Sequence, residues 1–423
     1  MIQTINAKDI EKLKEIKTRS KKNLELAITR IIPVVNEIKT LGDKALFKYC
    51  KKFDSFEATP RNILVPKKEI ETAYKKVDAK VIAAIKEAKE NISKYAKLRM
   101  PKEFVKEVKN GVKVGQLVRP LDSVGCYVPG GNFPLISSVL MTVIPAKVAG
   151  VKEIIICTPP KEDNYALYVA ADICGVDKIY RVGGAQAIAA MAYGTKSIPK
   201  VDKIVGPGNI FVTAAKKLVY GDVGIDFLAG PSEVLILAES GDASFIASDM
   251  LAQAEHDVMA SAILVTPNKE LAKSVEKEIS KQLKELNNDS FASESLRKYG
   301  AIVLVDDIDS GIDIVNDFAP EHLEIIVKDA KDVIPRLNNF GALFIGQYSP
   351  EAAGDYCTGP NHVLPTSGVA KFRAGLSVMD FVKTPTVQEL SKEGLKSLSD
   401  SIISIASIEG LEAHKKSVEK RIL

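Results

Sequence analysis

The sequence predicts an α/β protein of two Rossmann-like doubly wound units, one inserted in the other, with an N-terminal helical arm and a C-terminal helical tail. Three observations carry this. Short apolar strands alternate with helices from Ser123 onward, the rhythm of a parallel sheet. Three glycine-rich turns punctuate the first part of that stretch. A second alternating series follows Leu237.

In chain order, residues 1–20 read as a lysine-rich arm with helical spacing that lies against another part of the molecule. From Asn23 to Lys52, Leu24, Ile28, Ile31, Ile32, Val35, Ile38, Leu41 and Leu46 recur at three and four. This is an amphipathic helix, with a break or kink expected at Pro33 and another break at Gly42-Asp43. Ile70–Tyr95 repeats the pattern, and Phe104–Leu121 has the alternating valines of a hairpin turning at Asn110-Gly111. Then come strand Val124–Val128, helix Pro134–Ala149, strand Glu153–Cys157, helix Asn164–Cys174, strand Lys178–Val182 and helix Gln186–Tyr193. Strand Lys203–Val205, helix Ile210–Val219 and strand Glu233–Leu237 close the first series. The second runs through helix Ala243–His256, strand Ala262–Val265, helix Glu270–Leu286 and strand Ala301–Val305. Helix Gly311–Phe318 and strands Leu323–Val327 and Ala342–Ile345 complete it. Residues 348–366 read as a long loop, and everything from Val382 as charged helix. These readings divide the chain into an arm (1–22), a unit bearing metal and proton-transfer residues (23–122 and 238–378), a glycine-rich nucleotide-binding unit (123–237) and a tail (379–423).

Composition narrows the function. A net charge of +4 over 423 residues, with lysines spread along helices, fits a solvated surface and excludes a nucleic-acid track. No apolar run reaches membrane-spanning length, and the first residues lack a signal-peptide plan, so a cytoplasmic protein without membrane association is expected. The five cysteines show neither paired nor CxxC spacing, which argues against a disulfide framework and a zinc ribbon.

Chemistry concentrates in the second half. All four histidines lie there, each beside carboxylates, amides or glycines: Gln253-Ala-Glu-His256, Glu321-His322, Asp355 with His362, and Glu409 with His414. Gln253 and His256 are three apart near a helix end and share a face. With Asp355, His362 and His414 as further donors, such a mixed N/O set suits zinc, with manganese or another first-row metal also possible. Glu321-His322 offers an acid beside an imidazole, two proton acceptors with separable pKa values, provided the loop–strand junction is bent enough to aim both at one ligand. Cys357 has no histidine at a recognised spacing, which argues against a nucleophile. The turns Pro129-Gly-Gly131, Gly183-Gly184 and Gly206-Pro-Gly208-Asn209 suit phosphate oxygens at helix starts, although no GxGxxG is present.

Taken together, these motifs resemble histidinol dehydrogenase. The resemblance rests on Tyr127-Val-Pro-Gly-Gly, Val182-Gly-Gly-Ala-Gln186, Val205-Gly-Pro-Gly-Asn209 and Ala229-Gly-Pro-Ser232. It continues through Gln253-Ala-Glu-His256, Ala319-Pro-Glu-His-Leu-Glu324, Gly354–Thr366 and Glu409-Gly-Leu-Glu-Ala-His414. It implies NAD-dependent oxidation of L-histidinol to L-histidine through a bound aldehyde, the last step of histidine biosynthesis. It further implies zinc held by Gln253, His256, Asp355 and His414, with these four, Ser232, His322 and Glu409 contacting substrate. By the same resemblance His322 is the base toward the alcohol, Glu321 activates water, and Tyr127, Gln186 and Asn209 bind NAD. A homodimer is implied in which the tail crosses to the neighbour, bringing Glu409 and His414 in trans. Two rivals stand beside this: a zinc-dependent hydrolase of an amide or ester using Glu321 as base, and a non-catalytic nucleotide-binding protein. The glycine turns argue against the first, the intact Glu321-His322 against the second.

Overall fold

The structure is a computed structural model describing residues 2–7, 10–19, 21–130, 135–286 and 289–422. Gly131 of the first glycine turn and Pro134, the expected start of the following helix, lie outside these. No helix among the described residues is long and apolar enough to cross a membrane.

Two parallel sheets organise the chain. The first places Lys178–Arg181, Glu153–Thr158, Ser123–Tyr127, Lys203–Val205 and Gly224–Ile225 side by side in that order. Numbered along the chain this is 3-2-1-4-5, so the strand order reverses between Ser123–Tyr127 and Lys203–Val205. The second sheet runs Gln3–Asn6, Ala301–Leu304, Ser261–Thr266, Glu233–Ala238, His322–Ile326, Ala342–Ile345. Leaving the N-terminal edge strand aside, it repeats the 3-2-1-4-5 order. Every residue of Glu233–Ala238 is buried, as expected of a central parallel strand covered on both faces. Between the last strand of one sheet and the first of the other lie only residues 226–232, which span at most about 25 Å. The carboxyl edge of the first sheet therefore adjoins the amino edge of the second.

Several expectations require correction. Helix Lys21–Leu41 runs through Pro33 without a break, because Pro33 lies on the exposed face, where water can satisfy the carbonyl it frees. The break at Gly42 is real, with φ +55 there and a new helix at Asp43–Phe53. These two helices do not pack on the second sheet. Ile31, Val34, Val35, Ile38 and Leu46 pack with Ile155 and Ile204 of the first and with Ile188 of helix Gly184–Tyr193, each burial being worth about 1.5–3 kcal/mol. Helix Ala79–Leu98 covers the other face through Ile85, Ala88 and Ile92. Strand Glu233–Ala238, read as the end of the glycine-rich unit, is instead central to the second sheet. The boundaries at 123 and 237 thus cut across packed cores. The arm is not helical throughout, since Gln3–Asn6 is a strand before helix Ile10–Thr18. Residues 348–366 contain the helix Glu351–Tyr356. After Val382 come two strands, Val382–Lys383 and Thr386–Leu390, the latter pairing with the hairpin strand Val112–Gln116 before helices Lys392–Ile408 and Glu412–Ile422. All five cysteines are free.

Candidate active site

His256, His322, His362 and a group of carboxylates meet at the amino edge of the second sheet. Helix Ile308–Phe318 ends at Ala319 in the left-handed conformation (φ +55), which turns the chain into Pro320-Glu321 and the strand beginning at His322. That turn supplies the required bend. Glu321 and His322 are both buried, and Glu321 Oε2 lies 3.8 Å from His322 Nδ1. Glu321 Oε2 accepts the peptide N–H of Glu233 on the neighbouring strand at 2.8 Å.

His322 Nδ1 stands 3.1 Å from the carbonyl oxygen of Glu233, an acceptor only, which assigns the ring proton to Nδ1. The Gln253 amide nitrogen also comes within 3.2 Å of Nδ1, but it has the Glu351 carboxylate as its acceptor and needs no bond to the ring. Nε2 is then the unprotonated nitrogen. It is buried, has no hydrogen-bond partner among the described residues, and faces Asp355 Oδ1 at 3.8 Å. Burial depresses the imidazole to about 4, against the opposing pull of Asp355, so the ring is neutral at pH 7.

Gln253 emerges from the last turn of helix Ala243–Ala254, fully buried. Oriented to donate, its amide nitrogen meets Glu351 Oε1 at 3.0 Å and Oε2 at 3.2 Å, leaving the amide oxygen free to ligate. His256 follows in the turn beyond, its side chain 42% exposed, with Nε2 3.9 Å from Asp355 Oδ2. Ligand-type atoms of His256, Glu351 and Asp355 lie within 4.8 Å of one another. His362 closes the cluster through Nδ1, 2.9 Å from the Asp355 carbonyl oxygen. A cavity of about 590 Å³ opens beside this group, lined by His322, Asp355, His362 and Phe344, with Tyr95 and Arg99 from the first unit. Among the described residues no lysine or arginine pairs with Glu321, Glu351 or Asp355. Burial, followed by mutual repulsion, pushes Glu321 and Glu351 well above the usual carboxylate range.

The second region is the crevice where strand order reverses in the first sheet. Tyr127 ends one strand, and Gly206 leaves the adjacent one with φ +116. A Cβ on Gly206 would stand 2.1 Å from the Tyr127 carbonyl oxygen, so the position requires glycine. Asn209 caps helix Ile210–Val219, accepting from Phe211 and Val212 N–H at 3.0 and 3.2 Å. The Gly183-Gly184 turn is differently engaged. Its N–H groups donate to Asp54 Oδ2 at 3.1 Å and to the Tyr127 hydroxyl at 3.0 Å, while the buried Gln186 donates to Asp54 at 3.0 Å. This turn is already filled by protein groups.

The structure therefore brings Gln253, His256, Glu321, His322 and Asp355 together, and Ser232 directly precedes Glu233 in the same corner. Tyr127, Gln186 and Asn209 gather at the first sheet's carboxyl edge. Glu409 and His414 sit exposed on the tail helices, and among the described residues no hydrogen bond or ion pair joins them to the cluster. Glu351 was missed by the sequence reading. Its signal was the four-residue spacing to Asp355, hidden because that segment read as a loop. Asp54 had no signal at all.

A family model described as histidinol dehydrogenase matches residues 17–422. The chain is 47% identical over 426 residues to the histidinol dehydrogenase of Methanothermobacter thermautotrophicus, covering all of both chains. It is 50% identical over 418 residues to that of Clostridium acetobutylicum, covering 98% of this chain and 96% of the relative. The crystal structure of histidinol dehydrogenase from Elizabethkingia anophelis superposes with a TM-score of 0.92 at 36% identity, over 100% of this chain and 98% of that one. Matches of this extent bear out the resemblance first read from eight short motifs: the chain belongs to the histidinol dehydrogenase family.

Proposed function

We propose that this protein oxidises L-histidinol to L-histidine in two successive steps through a bound aldehyde, with NAD+ and a zinc ion as cofactors. The observation that carries the reading is the unpartnered His322 Nε2, facing a cavity beside Glu321 and a cluster of metal-type donors.

The donor set fits a divalent cation. Buried carboxylates at Glu321, Glu351 and Asp355 have no lysine or arginine partner among the described residues, and a bound cation would offset their repulsion. Gln253 Oε1, His256 and Asp355 would hold it, with Glu351 fixing the Gln253 amide. When bound, zinc supplies a Lewis-acidic anchor for the substrate's nitrogen atoms, fixing the carbinol carbon in place. The strand-order reversal beside Tyr127 and Asn209 supports a dinucleotide at that edge, the usual place for one in an open α/β sheet. When bound, NAD+ supplies the hydride acceptor.

Neutral His322 takes the alcohol proton on Nε2 as the carbinol carbon loses hydride, giving the aldehyde. Glu321, made more basic by burial, takes a proton from water attacking that aldehyde. The hydrate then loses a second hydride and a proton to give the acid. Each oxidation thus releases one hydride and one proton. We further propose a cytoplasmic homodimer, consistent with five free thiols and with the exposed Ile405, Ile408 and Leu411 on the tail. In it, Glu409 and His414 of the partner subunit would complete the cluster.

The test is NADH absorbance from zinc-loaded protein with L-histidinol and NAD+. Two NADH per histidinol, abolished by a chelator and by His322→Ala, are expected. One NADH would remove Glu321 from its role. None, with zinc bound, would sink the reading and bring the amide or ester hydrolase forward.

A further inference from the structure

Arg19 connects the N-terminal arm to the site. It lies just past helix Ile10–Thr18, and its side chain is 1% exposed. Every nitrogen of the guanidinium is engaged. Nε donates to the Met259 carbonyl at 2.6 Å. One terminal nitrogen donates to the Ile16 carbonyl at 2.8 Å and to Glu233 Oε1 at 2.9 Å. The other donates to the carbonyls of Pro231 at 3.1 Å and Ser232 at 3.2 Å. Five N–H groups meet five acceptors, and the Tyr299 ring lies 5.8 Å from the guanidinium carbon.

The acceptors come from three segments that frame the cluster. Pro231–Glu233 leads into the central strand, Met259 belongs to the turn after His256, and Ile16 lies in the last turn of the arm helix. From Glu233 the connection reaches the reacting pair directly. Its N–H donates to Glu321 Oε2, its carbonyl receives His322 Nδ1–H, and its Oε2 accepts the Ser367 N–H at 3.2 Å. A buried ion pair is a weak device for stability alone, since well-packed apolar residues often serve as well. What a guanidinium adds is a planar fork of five donors in fixed directions, which an ammonium lacks.

We propose that Arg19 is a positioning residue whose guanidinium sets the backbone of Pro231–Glu233 and, through Glu233, fixes where Glu321 and His322 stand. It touches neither substrate nor cofactor. The inference rests on the roles given above to Glu321 and His322, and it gives the N-terminal arm a part in the reaction.

The test compares full-length, zinc-loaded wild type with Arg19→Lys, Glu233→Gln and Lys17→Ala. Lys17 ties the same helix to the exposed Asp317 and serves as control. Arg19→Lys and Glu233→Gln should each lower kcat by about 10- to 100-fold, with KM for histidinol and NAD+ within about threefold. NADH yield should slip from two toward one as Glu321 loses its place, while Lys17→Ala behaves as wild type. An activity-independent readout is imidazole ¹H–¹⁵N NMR, made tractable by only four histidines. The His322 resonances should shift in both variants and those of His414 should not. Folded variants with wild-type kcat and an unmoved His322 signal would overturn the proposal, as would failure of both to fold, which would make the guanidinium a folding element. If wild type yields no NADH, the functional reading fails, and the NMR comparison still decides whether Arg19 sets the His322 environment.

Discussion

The carboxyl edge of the first sheet and the amino edge of the second share a strand order and adjoin one another, yet they are made of opposite materials. At the first, backbone does the shaping. Gly206 passes the Tyr127 carbonyl where no side chain fits, and Asn209 caps a helix start. At the second, side chains converge from a helix end, a strand start and a short returning helix, and the carboxylates among them are buried and mutually repulsive. The same 3-2-1-4-5 order produces both because helices return antiparallel to strands. Any α/β unit therefore offers helix starts at one edge and helix ends at the other. Backbone donors gather at the former. Gln253 and His256 occupy the latter.

The contrast can be broken from either side. The largest expected effect is on turnover: His322→Gln should lower kcat by about 10²- to 10⁴-fold while leaving the thermal midpoint within a few degrees. A loss under tenfold would remove the imidazole from proton transfer. Gly206→Ala should act on folding instead, costing about 3 kcal/mol in urea unfolding from a clash combined with a disfavoured φ. Unchanged stability would mean that the crevice can widen.

A third expectation is pH dependence. His322 is depressed by burial to about 4, so the acid limb of kcat/KM should lie below pH 6.5. Its share of stability is present above 6.5 and lost as pH falls through about 4. Glu321 and Glu351 are raised, so theirs runs oppositely, present below about 4.5 and lost as pH rises through the elevated values. Metal-free protein should therefore gain stability as pH falls through those elevated values, a trend that added zinc should flatten. Flat stability over that range without zinc would contradict the uncompensated cluster. The smallest effect belongs to Asn209→Ala, about 1 kcal/mol from a lost helix cap, with a weaker NAD+ KM and unmoved histidine NMR signals.

What was legible in the sequence follows the same division. The inner strands and the turns of both sheets announced themselves through apolar runs and glycines, signals local in the chain, while the short edge strands Gln3–Asn6 and Gly224–Ile225 did not. Gln253 and His256 were visible as a helical pair, and Glu321-His322 as neighbours. Which helices cover which sheet was not visible, since the helices of residues 21–53 are amphipathic whatever they cover. Pro33 misled because proline's cost depends on whether its face is wet, a tertiary fact. Glu351 looked like one acid among many, and Arg19 like one more cation in a basic arm. Their meaning lies in partners far along the chain, Gln253 for Glu351 and, 214 residues away, Glu233 for Arg19.

The edge strand Gln3–Asn6 carries a consequence for biosynthesis. Its partner, Ala301–Leu304, leaves the ribosome about 300 residues later, some 15–60 s at ordinary elongation rates. For that interval this strand lacks its partner, while the glycine-rich sheet can already assemble behind it. Its sequence, Gln-Thr-Ile-Asn, is suited to waiting, because three of its four residues stay exposed even in the finished sheet. A strand that polar can remain in water without recruiting another chain, and a seam of the second sheet is closed by the strand that precedes all its sheet partners in the chain.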